Sequence, residues 1–354
     1  MKPHGWLWPL SIFYQAPVQL RNRFYNSGTL KSYKVDAPVI SVGNISVGGT
    51  GKTPFVIHLI ERLMQMKQKS RLKTAVISRG YRGRVKGTAV VSDGRRLFLG
   101  PEIAGDEPVM TAEAIPKSVV IVDKNRVRGA SVAVEEYGAD TIVLDDGFQH
   151  RRIRRDLDIV LLDARDPLGN GRVLPAGFLR EPASALSRAD LVILSKASGS
   201  DEELIQRAQK LEQVIDKPVV VTRLTPKYWR RFAHNELMSA DQIAGKEVTA
   251  FAGIASPESF FDTVETLGAD LKVRIPLPDH CPYKKRHLDW ISRQYVLSRS
   301  EWIVTTAKDM IKLPTILHFL PVYHLETVIE IVAGEDHLHS ALTDILQKTG
   351  KIVH

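Results

Sequence analysis

The chain has 354 residues, 44% of them hydrophobic, with 49 basic against 40 acidic side chains and a formal charge of +9. That length and apolar content suit a large globular core divided over two domains and exclude a disordered or fibrous chain. A single cysteine, Cys281, excludes an internal disulfide framework and suits a reducing compartment, while the excess of positive charge points to an anionic partner: a nucleotide, a nucleic acid or a phosphate-bearing membrane.

The amino-terminal stretch Trp6-Leu-Trp-Pro-Leu-Ser-Ile-Phe-Tyr14 is apolar and aromatic, and Arg21, Arg23, Lys31 and Lys34 follow it. It is broken by Pro9 and Pro17 and is shorter than the ~20 apolar residues that a membrane span needs. No small-residue cleavage site of the signal-peptide type is present. Aromatic residues beside basic ones suit the headgroup layer of an anionic leaflet, so residues 1–35 are expected to lie on a membrane surface. Docking on the protein's own core is the alternative, and one helix face can serve each purpose.

The stretch from Val39 to Pro54 reads as a strand, a glycine-rich loop and a first helical turn. Val39 to Val42 is a short buried strand, and Gly48, Gly49 and Gly51 let successive N–H groups face one anion. Ser46, Val47, Thr50 and the three glycines would then surround a phosphate. Lys52 would reach the outer phosphates and the Thr53 hydroxyl would ligate magnesium, at the positive end of a helix marked by Phe55, Leu59, Ile60 and Leu63. Ser46 stands where the strict G-x-x-x-x-G-K-[ST] form has its first glycine.

Lys73 to Ser78 is a second buried strand that runs into Arg79-Gly-Tyr-Arg-Gly83, and the ends of such strands are where open α/β sheets hold ligands. Arg79, Tyr81 and Arg82 are therefore candidates for gripping an anionic substrate, with a solvated turn as the plainer reading. Two short strand-like pieces follow (Thr88 to Val91 and Arg96 to Leu99), and then Ala104-Gly-Asp-Glu-Pro-Val-Met110 opens a helix. Asp106 and Glu107 complement its dipole; if the helix points at the phosphate site, Asp106 is a candidate base. After the strand Ser118 to Val122, Asp140-Thr-Ile-Val-Leu-Asp-Asp146 delivers paired carboxylates to a strand end, the expected partner of a phosphate loop for holding Mg²⁺.

Gln149 and His150 lie just beyond, followed by the arginine run Arg151 to Arg155, whose position suggests neutralising phosphates on substrate or lipid. No aromatic interleaving or nucleic-acid motif supports a nucleic-acid partner. Strands at Asp158 to Asp163, Leu191 to Leu194 and Val219 to Val221, a long glycine- and proline-rich loop from Pro167 to Phe178, and a helix from Asp201 to Val214 complete a mostly parallel sheet covered on both faces. The polar segment Thr222 to Pro226 is expected to be a hinge. A smaller α/β unit follows, with strands at Val248 to Ala252, Leu271 to Ile275, Trp302 to Thr305 and Val328 to Val332, and helices near Pro257, Lys284 and Leu338. Its proline-flanked loop presents Asp279 and His280.

Taken in order, Gly43 to Pro54, Ser78 to Gly83, Gly105 to Pro108, Leu144 to His150, Leu174 to Pro182 and Asp279-His280 resemble the tetraacyldisaccharide 4'-kinases, which phosphorylate a membrane-bound acylated disaccharide in lipid A biosynthesis. The resemblance runs through most of the chain, and Ser46 fits that family's pattern. It implies a phosphate-loop domain over residues 36–222 and a smaller α/β domain over residues 223–354, whose final elements are able to pack back on the first. It also implies ATP as donor and Mg²⁺ as metal, with Lys52 and Thr53 on phosphates and metal, Asp145 and Asp146 organising the magnesium, and Glu107 beside it. Asp106, polarised by His280, would accept the proton of the sugar hydroxyl, while Arg79, Tyr81, Gln149 and His150 would line the substrate site. A monomer on the cytoplasmic face of a bacterial inner membrane is expected. A phosphate-loop GTPase or assembly ATPase is the competing reading, since Leu194-Ser-Lys196 and Thr306-Ala-Lys-Asp309 faintly echo a guanine-reading element.

Overall fold

The apolar runs of the first two hundred or so residues become the strands of one mostly parallel sheet, and the amphipathic stretches between them become its covering helices. The structure, a computed structural model, describes residues 7–66, 72–232, 234, 236–314, 317 and 319–348; Trp6, which opens the aromatic stretch, lies outside them. The chain forms two compact units, one of Met1–Leu224 with Ile329–His354 and one of Thr225–Val328. The second unit is therefore an insertion in the first.

The first unit runs α1 (Trp8–Asn26), β1 (Val39–Asn44), α2 (Lys52–Met66), β2 (Thr74–Ser78), β3 (Ala89–Asp93), α3 (Pro101–Ala104), α4 (Asp106–Ala114), β4 (Val119–Val122), α5 (Arg126–Glu135), β5 (Thr141–Asp145), β6 (Leu157–Asp163), β7 (Leu191–Ser195), α6 (Asp201–Ile215) and the start of β8 (Val219–Arg231). Its strand order is β8-β7-β6-β1-β5-β2-β4-β3, parallel throughout except for β3 on the edge. β1 is central, pairing Val42 with Asp145 on one side and with Ile159 on the other. Every residue of β1, β2, β4, β5 and β7 is buried, as a parallel sheet covered on both faces requires. Helix α6 starts where Ser200 Oγ accepts from the Glu203 N–H, and it carries Asp201, Glu202 and Glu203 in its first turn.

The second unit contains β9 (Leu237–Ser239), β10 (Glu247–Ala252), α7 (Pro257–Thr266), β11 (Asp270–Pro276), α8 (Lys285–Ser298), β12 (Trp302–Thr306), α9 (Ala307–Met310) and the first part of β13 (Val322–Ala333), with parallel order β11-β10-β12-β13. The chain then re-enters the first unit, where α10 (Glu335–Lys348) buries Leu338, Leu342, Ile345 and Leu346. The segment Thr222 to Pro226, expected as a polar hinge, lies within the continuous strand β8, and the boundary between the two units falls inside it, between Leu224 and Thr225. Arg96 to Leu99 forms no strand and contributes an isolated bridge between Ser92 and Leu97.

Helix α1 is longer than the aromatic stretch implied, with Pro9 in its first turn and Pro17 inside it. It docks on the first unit through polar contacts: Ser11 Oγ donates to the Val173 carbonyl at 2.9 Å, and Asn22 Nδ2 donates to the buried Glu181 at 2.7 Å. Trp8, Leu10, Ile12, Phe13 and Phe24 of this helix are exposed. Both expected uses of this helix are thus compatible with its packing. No helix among the described residues is long and apolar enough to cross a membrane.

In the second unit the largest fully buried side chain is Trp229, which donates Nε1–H to the Ala240 carbonyl at 3.1 Å and meets Trp302 edge to face. Trp229→Ala removes that ring and leaves the carbonyl unpaired, so it is expected to lower unfolding free energy by about 3–5 kcal/mol in urea titrations.

Candidate active site

The loop between β1 and α2 curls with Gly48 and Gly51 at positive φ, and helix α2 begins at Lys52. Several contacts fix the loop. Asn44 Nδ2 donates to Thr50 Oγ1 at 3.1 Å, Ser195 Oγ donates to the Thr50 carbonyl at 2.8 Å, and Lys196 donates to the Gly49 carbonyl. On the other side the Val47 N–H donates to the Phe178 carbonyl at 2.7 Å, and Ser46 bridges to Leu179. The loop is therefore held in shape before any anion arrives. Thr53 is buried on the first turn of α2, and Gly49 leaves open space up to the Lys196 ammonium.

Strand β5 runs parallel to β1, so its carboxyl end comes beside this loop. Asp145 and Asp146 have different environments there. Burial works to raise Asp146, yet Lys52 and Arg180 hold it below the usual carboxylate range; Lys52 Nζ lies 3.4 Å and Arg180 Nη1 3.0 Å from its oxygens. Asp145 is pushed up to about 7 by burial first and then by the charges of Glu107 and Asp146, against the pull of Lys52 and Arg126. Its Oδ1 is buried with no hydrogen-bond partner. A buried carboxylate oxygen without a donor, next to two more carboxylates, is a set of hard oxygens suited to a divalent cation. Among the described residues no group of three or more His, Cys, Asp or Glu side chains is arranged to hold a metal ion by itself.

Asp106 and Glu107 open α4, behind Gly105 at φ +94°. A Cβ on Gly105 would lie 2.6 Å from the Tyr81 carbonyl, and the Arg84 N–H donates to the Ile103 carbonyl at 2.8 Å. The Arg79–Gly83 loop and the start of α4 therefore pack as one assembly, which explains the glycines of both motifs. Arg79 is close enough to Arg126 to affect its charge, while Tyr81 is exposed.

Gln149 is not turned toward open space: its Nε2 donates to the Asn44 carbonyl at 2.8 Å and braces the phosphate loop. His150 is lowered to about 4, by burial first and then by Arg126, Arg155, Arg152 and Arg21, and its Nε2 is buried without a hydrogen-bond partner. The arginine run beyond it stitches the fold. Arg151 donates to the Asn22 carbonyl and to Asn26 on α1, Arg152 lies over the Tyr33 ring, and Arg155 pairs with Asp158 at 2.8 Å. Gly147 directly follows the paired aspartates, and its N–H donates to the Val42 carbonyl.

Two residues without an assigned role belong to the site. Arg180 lies in the loop after Leu174 and neutralises Asp146; Arg126, fully buried, donates to the carbonyls of Asp123 and Asp145. The position of Arg126 directly after the strand Ser118 to Val122 was the available signal. His280 lies in the second unit, at φ +61°, where its Nε2 is 3.2 Å from Lys308 Nζ and 3.7 Å from Asp279.

A family model described as tetraacyldisaccharide-1-P 4'-kinase matches residues 4–347. The chain belongs to this family. A tetraacyldisaccharide 4'-kinase of Geobacter metallireducens is 38% identical over 338 residues, 95% of this chain and 96% of the relative, and one of Geobacter sulfurreducens is 40% identical over 323 residues, 91% and 87%. The crystal structure of an "apo" form LpxK from Aquifex aeolicus in complex with ATP shares 32% identity and a TM-score of 0.77, across 96% of this chain and 98% of that one. As a tetraacyldisaccharide-1-P 4'-kinase family member, the chain is a phosphotransferase acting on a hydroxyl group in lipid A biosynthesis, and the switch-protein reading falls away.

Because the folded pKa of Asp145 is raised, ionising it costs native stability progressively as pH rises from about 4 to about 7. In EDTA and without nucleotide, Asp145→Asn is therefore expected to be more stable than the native chain at pH 8, by about 2–4 kcal/mol, with the gap closing by pH 4. Denaturation midpoints across that range test it. Equal pH profiles for the two proteins would contradict the buried, unpaired carboxylate.

Proposed function

We propose that this chain transfers the γ-phosphoryl group of ATP to the 4'-hydroxyl of a tetraacyldisaccharide 1-phosphate, at the cytoplasmic face of a bacterial inner membrane. The observation that carries the reading is the unpartnered buried oxygen of Asp145 beside a braced phosphate loop, since the two together call for a metal-bound nucleotide. The backbone of Ser46 to Gly51 holds the phosphates, and Lys52, now drawn to Asp146, reaches the outer ones. Thr53, Asp145, Asp146 and Glu107 would hold Mg²⁺, which supplies neutralisation of phosphate charge. Arg180 and Lys52 keep Asp146 ionised for that purpose.

Asp106 takes the proton from the sugar 4'-hydroxyl as its oxygen bonds to phosphorus and the bond to the ADP oxygen breaks. An aspartate carboxylate, with an ordinary pKa of about 3.9, is a weak base for an alcohol, so a supporting group is needed. His280 is assigned that role, to polarise Asp106 and share the developing charge. Arg79 and Tyr81 bind substrate from the loop packed against α4, and His150 stays neutral beside the site. Gln149 acts indirectly, through the Asn44 carbonyl. The exposed aromatic face of α1 supports attachment to the leaflet that carries the substrate.

Transfer of labelled γ-phosphate from ATP to purified tetraacyldisaccharide 1-phosphate, in detergent with Mg²⁺, tests the reading. Asp106→Ala and His280→Ala are each expected to lower kcat by roughly 10²–10⁴ while KM for ATP changes little, and the double variant should be close to the worse single one. Losses that multiply would dissolve the pair. ATP hydrolysis with no lipid product would overturn the substrate assignment.

A further inference from the structure

The cations of the second unit divide into two groups. One group is paired: Arg230 with Glu326, Arg231 with Glu236, Lys246 with Glu301, Lys272 with Glu247 and Asp270, and Arg274 with Glu258 and Glu265. Lys308 and Lys312 likewise face Asp279 and Asp309. By contrast, Lys227 on β8, which lies over the Tyr228 ring, and Lys284, Lys285, Arg286, Arg293 and Arg299 have no ion pair among the described residues, and the last five lie on α8 or at its ends. Arg286 donates only to the neighbouring His287 ring.

Helical spacing sorts α8 into two faces. Leu288, Ile291 and Tyr295 pack into the core of the unit. On the opposite side Arg286, Trp290, Arg293 and Leu297 follow one another at intervals of four, three and four residues, with Val296 beside them. Trp290 is 43% exposed and Leu297 67%. A stripe that alternates unpaired cations with an aromatic and aliphatic residues fits a surface that is negative outside and apolar beneath.

We propose that the outer face of α8 is a second membrane-docking surface, which seats on anionic phospholipid headgroups with Trp290 and Leu297 entering the acyl boundary. Charge complementarity selects that occupant, since Asp289 is the one acid of the helix against four cations from Lys285 to Arg299. The surface is separate from α1 and serves to hold the second unit on the leaflet from which the substrate comes. In the latter respect it rests on the proposed function.

The test uses the full chain with Cys281→Ser and Leu297→Cys, labelled at the new thiol with an environment-sensitive fluorophore. With vesicles of phosphatidylglycerol and phosphatidylcholine, emission is expected to shift to the blue, and to do so far less on phosphatidylcholine alone. Adding Arg286→Ser and Arg293→Ser should weaken partitioning by roughly 20–30-fold at low salt. Turnover of detergent-dispersed substrate should be unchanged. A label that stays in water while the protein sediments with the vesicles would overturn the proposal and leave α1 as the anchor. So would equal response to neutral vesicles, a response to duplex DNA but not lipid, or failure to bind vesicles at all. Loss of turnover in detergent would bear instead on the proposed function.

Discussion

One short segment of backbone decides most of what the first unit can do: the parallel pairing of β1 with β5. It places a phosphate loop and two aspartates at the same edge of the sheet, where burial makes each carboxylate expensive unless a cation answers it. Asp146 is answered from within the protein by Lys52 and Arg180. For Asp145 the pull of Lys52 and Arg126 does not offset burial and the charges of Glu107 and Asp146, and its Oδ1 has no hydrogen-bond partner. The supporting contacts from Ser195, Lys196 and Gln149 are directed at the loop, so that the geometry is ready and only the charge is missing.

Much of this was legible in the residues. The strand-loop-helix of Val39 to Pro54 announced itself through an apolar run, three glycines and Gly-Lys-Thr, all local signals. The paired aspartates could be placed because a parallel sheet sends every strand's carboxyl end to one edge. Illegible features depended on which distant segments meet. Gln149 looked like a substrate contact because it neighbours the aspartates, but its amide is committed to Asn44, 105 positions away. The arginines from Arg151 to Arg155 read as an anion-binding run, whereas Arg151 reaches α1 and Arg155 turns back on Asp158. Linear charge density cannot distinguish a solvated run from one whose members point into different contacts.

The strand β8 illustrates a second limit. Thr222 to Pro226 is polar enough to suggest a boundary, and the two units do divide between Leu224 and Thr225, yet the strand itself continues across that boundary. Pattern reads side-chain environment, while the ladder is satisfied by backbone groups that every residue but proline supplies.

That strand leaves the first unit and β13 brings the chain back, so the first unit is discontinuous in sequence. Its last helix, α10, carries Glu335 in an ion pair with Arg62 of α2, the helix that begins at Lys52. During vectorial synthesis the phosphate loop would emerge early, yet a partner of its helix would wait until the whole inserted unit had been made. Helix α2 must then wait roughly 270 residues for that partner, and the nascent first unit must persist with that flank uncovered while the whole insertion Thr225–Val328 is made, which gives the insertion a strong reason to fold promptly and independently.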